Sequence, residues 1–220
     1  MDKYPWLVSI WGVPRVSTTI FFFCGGTLVA SKYVISAAHC MDLSWIDYDK
    51  GLSVLVGDFD HSQVQETNFV NVKTITNHPK WVRCKNLLSL LQQSDNPRTD
   101  LCVGLGNDVA VLELEEAVDL ETHPPACLPF AGGHTSYDGK LATLAGWGLL
   151  EDWVSLPDPK PPPARPPVPH EVTVPVLAAC KWASAGPLGL LPVPSSVLCT
   201  GAVEAGGGKS GCNVILILRL

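Results

Sequence analysis

Charge is scarce in this sequence. Charged residues make up 16% of the 220, against about 25% in ordinary soluble domains. The 15 Lys and Arg are outnumbered by 21 Asp and Glu, for a net charge of −6. None of the basic residues cluster into a run, so the phosphate contacts a nucleic-acid binder depends on are missing. Long apolar runs are missing as well. A membrane-spanning helix needs about 18–20 apolar residues, and the stretch Val214-Ile215-Leu216-Ile217-Leu218 ends at Arg219. No two cysteines stand as Cys-x-x-Cys, and no His lies three to five residues from another. This excludes the usual structural-zinc patterns, and neither metal nor cofactor is expected. The start, Met1-Asp2-Lys3-Tyr4-Pro5-Trp6, lacks the apolar segment of an export signal.

Apolar residues are plentiful at 46%, which supplies a core and excludes a disordered chain. The length suits one complete all-β domain or two half-domains. Eight cysteines (24, 40, 84, 102, 127, 180, 199 and 212) are spread along the chain, a count that fits disulfides and an oxidising compartment. That conflicts with the absent leader: either the thiols stay reduced or the true N-terminus lies upstream. Short apolar runs are broken by Gly, Pro and Asn, with no sustained helical period. Residues 6–13, 27–36, 52–59, 69–76, 109–114, 141–147 and 171–177 read as strands of a sandwich or barrel. Two segments depart from this texture. Residues 84–106 begin leucine-rich and turn polar, as a short helix or an inserted loop. Residues 157–169 hold eight prolines in thirteen and read as an exposed polyproline-like spacer.

The chemistry concentrates around His39. In Cys24-Gly25-Gly26-Thr27-Leu28 … Ile35-Ser36-Ala37-Ala38-His39-Cys40, small residues end a strand and a His precedes a Cys. A bridge between Cys24 and Cys40 would fasten the His-bearing turn to its neighbouring strand and hold the imidazole still, as general-base catalysis requires. Taken alone, a His beside a Cys is more often structural. Asn107-Asp108-Val109-Ala110-Val111-Leu112 puts an acid at the start of an apolar strand. A buried Asp there would fix the imidazole tautomer; otherwise it is a turn residue.

Together these segments resemble the chymotrypsin/trypsin family of serine endopeptidases. The resemblance extends to Tyr4-Pro5-Trp6-Leu7-Val8-Ser9-Ile10, Val56-Gly57-Asp58, Asn77-His78-Pro79, Ala126-Cys127-Leu128-Pro129, Ala145-Gly146-Trp147-Gly148, Glu171-Val172-Thr173-Val174-Pro175-Val176 and Leu198-Cys199-Thr200-Gly201. It implies two packed antiparallel β-barrels of the trypsin-like type. Residues 1–120 would form the first, carrying His39 as general base and Asp108 as orienting acid, with the insert at 84–106. Residues 121–220 would form the linker and an incomplete second barrel containing the proline-rich loop 157–169. The resemblance also implies Cys24–Cys40 and Cys180–Cys199 bridges, a peptide or protein substrate and an extracellular setting. By the same resemblance, Cys127 would link to an upstream pro-domain, Cys212 would pair beyond residue 220, and Ser210 would floor the specificity pocket, favouring an apolar or aromatic side chain. A local Cys84–Cys102 pair is a further option. Asp58, Asp60 and Glu66 lie where some members bind calcium, but their spacing is unmatched and a solvated loop is expected.

The sequence departs from the family at the nucleophile. Where members read Gly-Asp-Ser-Gly-Gly-Pro one residue after a cysteine, this chain reads Val214-Ile215-Leu216-Ile217-Leu218-Arg219 after Cys212-Asn213. Leu216 occupies the serine position, and Val214 and Ile215 replace the oxyanion-hole glycine and the acid that secures the activated state. No family-type activation N-terminus precedes Tyr4. The expectation is an inactive chain whose second barrel lacks its last strands. The first reading is an endopeptidase domain carried by an incomplete gene model or splice form. The second is a non-catalytic homologue that binds peptides or regulates proteases. The third is an unrelated β-rich binding module.

Overall fold

The computed structural model describes residues 3–57, 60–65, 68–81, 106–129, 136–148, 165–177, 182–184, 190–192 and 198–201. They are almost entirely strand and loop. Six strands, β1 (Leu7–Gly12), β2 (Phe21–Ala30), β3 (Tyr33–Ser36), β4 (Leu52–Val56), β5 (Val70–Asn77) and β6 (Ala110–Leu114), close into an antiparallel barrel in the order β1-β2-β3-β6-β5-β4. A second sheet joins β7 (Leu141–Gly146), β8 (His170–Leu177) and β11 (Cys199–Thr200) in the order β11-β8-β7, and β9 (Trp182–Ser184) pairs with β10 (Leu190–Pro192). The protein is therefore all-β, with one closed barrel and a second, partial sheet.

Side-chain alternation explains the barrel. Along β6, Ala110, Leu112 and Leu114 are fully buried while Val111 between them faces outward, the two-residue period of a strand with one face on a core. Val8, Ile10, Leu28, Val34, Val54 and Leu112, all at 0% exposure, fill the interior. β1 is different: every residue from Leu7 to Gly12 is buried. Its second face is covered where Leu7 and Tyr4 pack on Ala145 and Trp147 at the end of β7. Polar contacts reinforce that junction. Lys3 Nζ lies 2.6 Å from Glu171 Oε1, and the Tyr4 hydroxyl donates to the other oxygen of Glu171. Those bonds hold the Glu171 carboxyl below its ordinary pKa.

The structure revises several sequence expectations. Residues 27–36 are two strands of a hairpin, because Ser31 and Lys32 turn the chain, and β2 begins earlier, at Phe21. Two 3-10 turns, Ala38–Asp42 and Tyr48–Lys50, appear where no helical period is legible. The end of the proline-rich segment is docked, not free: Pro166 is buried and the Pro167 carbonyl accepts from His61 N at 2.8 Å. Most of the 84–106 segment lies outside the described residues.

Gly57, at the end of β4, has φ +68°, and a Cβ there would lie 2.4 Å from the His123 ring. Gly51 has φ +80° with nothing within 4 Å of such a Cβ. Gly51→Ala is expected to lose about 1–2 kcal/mol to backbone strain alone, and Gly57→Ala more. Urea unfolding of the two variants checks this; equal losses would remove the His123 contact from the account.

Candidate active site

The site is assembled at the rim of the barrel. β2 and β3 run side by side, and Ser36 Oγ donates to the Gly25 carbonyl at 2.9 Å where β3 ends. The chain then enters the 3-10 turn Ala38–Asp42, which carries His39. A disulfide joins Cys40 in this turn to Cys24 on β2, with Cα atoms 6.3 Å apart. Cys40 is fully buried, so the turn is anchored from beneath.

Two further side chains fix the same turn. The Tyr48 hydroxyl donates to the Cys40 carbonyl at 2.7 Å and accepts from Leu43 N at 3.0 Å. Burial pushes the Tyr48 phenol up to about 12, so it stays protonated and keeps donating. Trp81 Nε1 donates to Asp42 Oδ2 at 2.7 Å. Sequence reasoning missed Tyr48, Asp42 and Trp81. No spacing signals them, because each bond spans a loop whose path the fold decides.

Asp108 arrives from the neighbouring strand, since β6 pairs with β3 and sets Ala110 opposite Ser36. Gly106 and Asn107 both have positive φ, 75° and 57°, a conformation Gly and Asn tolerate best. They turn the chain into β6 with Asp108 two positions ahead of the first strand residue, Ala110. Both carboxylate oxygens meet His39: Oδ1 accepts from the His39 backbone N–H at 2.8 Å, and Oδ2 lies 2.7 Å from Nδ1. The Asp108 side chain is 14% exposed and that of His39 28%, so acid and ring are largely withdrawn from water while part of the ring remains accessible. Residues 69 positions apart are thus brought into a two-point contact.

His39 Nε2 faces Cys40 Sγ at 3.6 Å. The ligand atoms of Cys24, His39 and Cys40 lie within 4.8 Å of one another. Both sulfurs are consumed by the disulfide, so the group offers no thiolate to a metal. Asp60 is engaged in its own turn: Oδ1 accepts from Ser62 N and Oγ, and Oδ2 from Gln63. Asp58 and Glu66 lie outside the described residues. So do Ser210, Cys180, Cys84, Cys102, Cys212 and the 213–220 segment. Cys199 is disulfide-bonded. Cys127 is exposed with a free thiol. No helix among the described residues is long and apolar enough to cross a membrane.

A closed antiparallel barrel with a His–Asp pair on its rim, packed on a second antiparallel sheet, defines a protein of the double-barrel serine-protease class. The sequence model of the Trypsin family matches residues 2–214, and the chain belongs to the trypsin family. It is 31% identical over 219 residues to serine protease filzig of Drosophila melanogaster, covering 96% of this chain and 11% of that protein. It is 28% identical to ovochymase-2 of Mus musculus, over 96% of this chain and 29% of the mouse protein. Trypsin-1 of Astacus astacus is 29% identical, over 88% of this chain and 68% of the crayfish protein. The chain therefore spans less than a third of the first two relatives. Among solved structures, GrC superposes with a TM-score of 0.54 at 24% identity, over 80% of this chain and 61% of that one, a likeness of fold.

Proposed function

We propose that this chain is a serine-type endopeptidase domain by descent that carries two of the three catalytic groups and does not hydrolyse peptide bonds as written. The observation that carries the catalytic half is the 2.7 Å contact between His39 Nδ1 and Asp108 Oδ2. With Nδ1–H donated to the carboxylate, the neutral ring presents Nε2 as a proton acceptor. His39 is then the general base and Asp108 the group that orients it and stabilises the imidazolium. What that base lacks is a partner. Residue-by-residue matching to the family motif sets Leu216 at the nucleophile position and Val214 and Ile215 beside it. A leucine carries no proton to give up and no electron pair to attack a carbonyl. In a comparable triad enzyme, losing the serine alone lowers kcat about a million-fold.

The barrel packs on a second sheet through Leu7, Tyr4, Ala145 and Trp147, which supports the second reading: a non-catalytic homologue that binds peptides or regulates other proteases. Ser210 would then floor a pocket for an apolar or aromatic side chain. The exposed free thiol of Cys127 supports attachment of an upstream pro-domain. The buried Cys24–Cys40 bridge supports an oxidising, extracellular setting. A fluorophosphonate probe tests the central claim. The folded chain is expected to label no more than a heat-denatured control; labelling lost on heating would reveal an active serine and end the proposal.

A further inference from the structure

The junction between barrel and second sheet contains an imidazole that the catalytic reading does not use. His61 stacks on Trp147 with centroids 4.3 Å apart and planes at 15°. Phe22 of β2 lies 4.6 Å away and Trp11 of β1 meets the ring edge-on at 5.0 Å. The His61 backbone N–H donates to the Pro167 carbonyl at 2.8 Å, tying the 60–65 loop to the segment leading into β8. Among the described residues its buried Nε2 has no hydrogen-bond partner, and neither has the neighbouring Nε1 of Trp147. The ring thus contacts both layers through apolar faces and leaves one nitrogen enclosed with no acceptor among the described residues.

We infer that His61 is a pH-sensitive latch: it holds the second sheet against the barrel while its ring is neutral, and releases that contact when the ring is protonated. Protonation would place a charge and an unpaired N–H donor inside an aromatic enclosure, which is unfavourable without an acceptor. Stacking of an imidazolium on an indole is attractive by itself. Desolvation outweighs it here, and burial pushes the His61 pKa down to about 4, with the Asp60 charge opposing the shift.

Among the described residues, the charged groups around the ring do not supply a partner. Asp60, on the same loop, spends both oxygens on Ser62 and Gln63. The Arg165 guanidinium lies 5.4 Å from the centroid of Phe22 and, being a cation, offers no acceptor. His170 stands opposite Gly146 at the end of β7, and Lys3 and Glu171 pair at the same edge. β1 and β2 contribute no titratable side chain to the stack.

The sign follows from linkage. An opened ring recovers its ordinary value near 6.5, so the contact is fully present above that pH. It is lost as pH falls towards about 4 and changes no further below. The slope is at most tenfold in the closed-to-open ratio per pH unit; the ring is half-buried, so the measured slope falls below that ceiling.

The test uses the full chain, wild type against His61→Phe, which keeps the stack and removes the titration. Urea midpoints are measured between about pH 7 and pH 4.5, together with hydrogen exchange of the β7 amides. Wild type is expected to lose up to about 100-fold more in folded-to-unfolded ratio than the variant across this range, with β7 protection falling in wild type only. Parallel pH profiles would overturn the latch. If the variant fails to fold, the imidazole titration of His61 in wild type, followed by NMR, decides: a midpoint below about 5 supports the latch, and one near 6.5 overturns it.

Discussion

Leu112→Ala is expected to lower the unfolding free energy by about 2–5 kcal/mol, while Val111→Ala, one residue away, changes it by less than about 1 kcal/mol. The two side chains share a strand and differ in face. Leu112 is fully buried, while Val111 is 36% exposed. β6 is central, with Leu112 opposite Val34 of β3 on one side and Ile75 of β5 on the other. A void there has close-packed neighbours on every side that cannot relax into it. The effect reaches the site as well, because Ala110, the first residue of β6, lies two positions after Asp108. Loosening the strand loosens the carboxylate that holds His39. Urea denaturation of both variants measures the contrast, and comparable losses at the two positions would refute the assigned strand faces.

Removing the bridge by Cys24→Ala with Cys40→Ala is expected to cost about 3 kcal/mol, the value for a closed loop of this size. The two cysteines are 16 residues apart. Alanine is preferred to serine because both sites are buried and a hydroxyl there would need a partner. The loss is expected to be local as well as global. The turn Ala38–Asp42 would keep its Tyr48 and Trp81 bonds but lose its anchor on β2, so amide exchange at His39 to Asp42 should accelerate more than exchange in β6. Cys127→Ala, at an exposed free thiol, is the control and should stay within about 0.5 kcal/mol of wild type. A double variant as stable as that control would show that the bridge does not organise the turn.

Much of the barrel was legible because strand burial writes itself into the chain every second residue. The expected run 6–13 became Leu7–Gly12, and 109–114 became Ala110–Leu114. The errors fell where that signal stops. Residues 27–36 carry apolar character straight through the turn at Ser31 and Lys32, so the hairpin was hidden. The strands Trp182–Ser184 and Leu190–Pro192 are too short for alternation to show. The buried end of the proline-rich segment was unreadable for another reason: proline composition sets local stiffness, not what the stiff segment leans on.

The candidate site divides the same way. His39 and Asp108 could be singled out because each sits in a dense local motif. Tyr48, Asp42 and Trp81 could not, because a tyrosine that caps a turn looks like any other tyrosine until the loop is folded. The sequence by itself determined the all-β class and the family, both of which depend on residue type and order. Only the tertiary structure decided that Asp108 meets both the ring and the backbone of His39, and that His61 is enclosed by aromatic side chains from both layers. Such contacts join residues far apart in the chain, and barrel closure, not local preference, sets their distances.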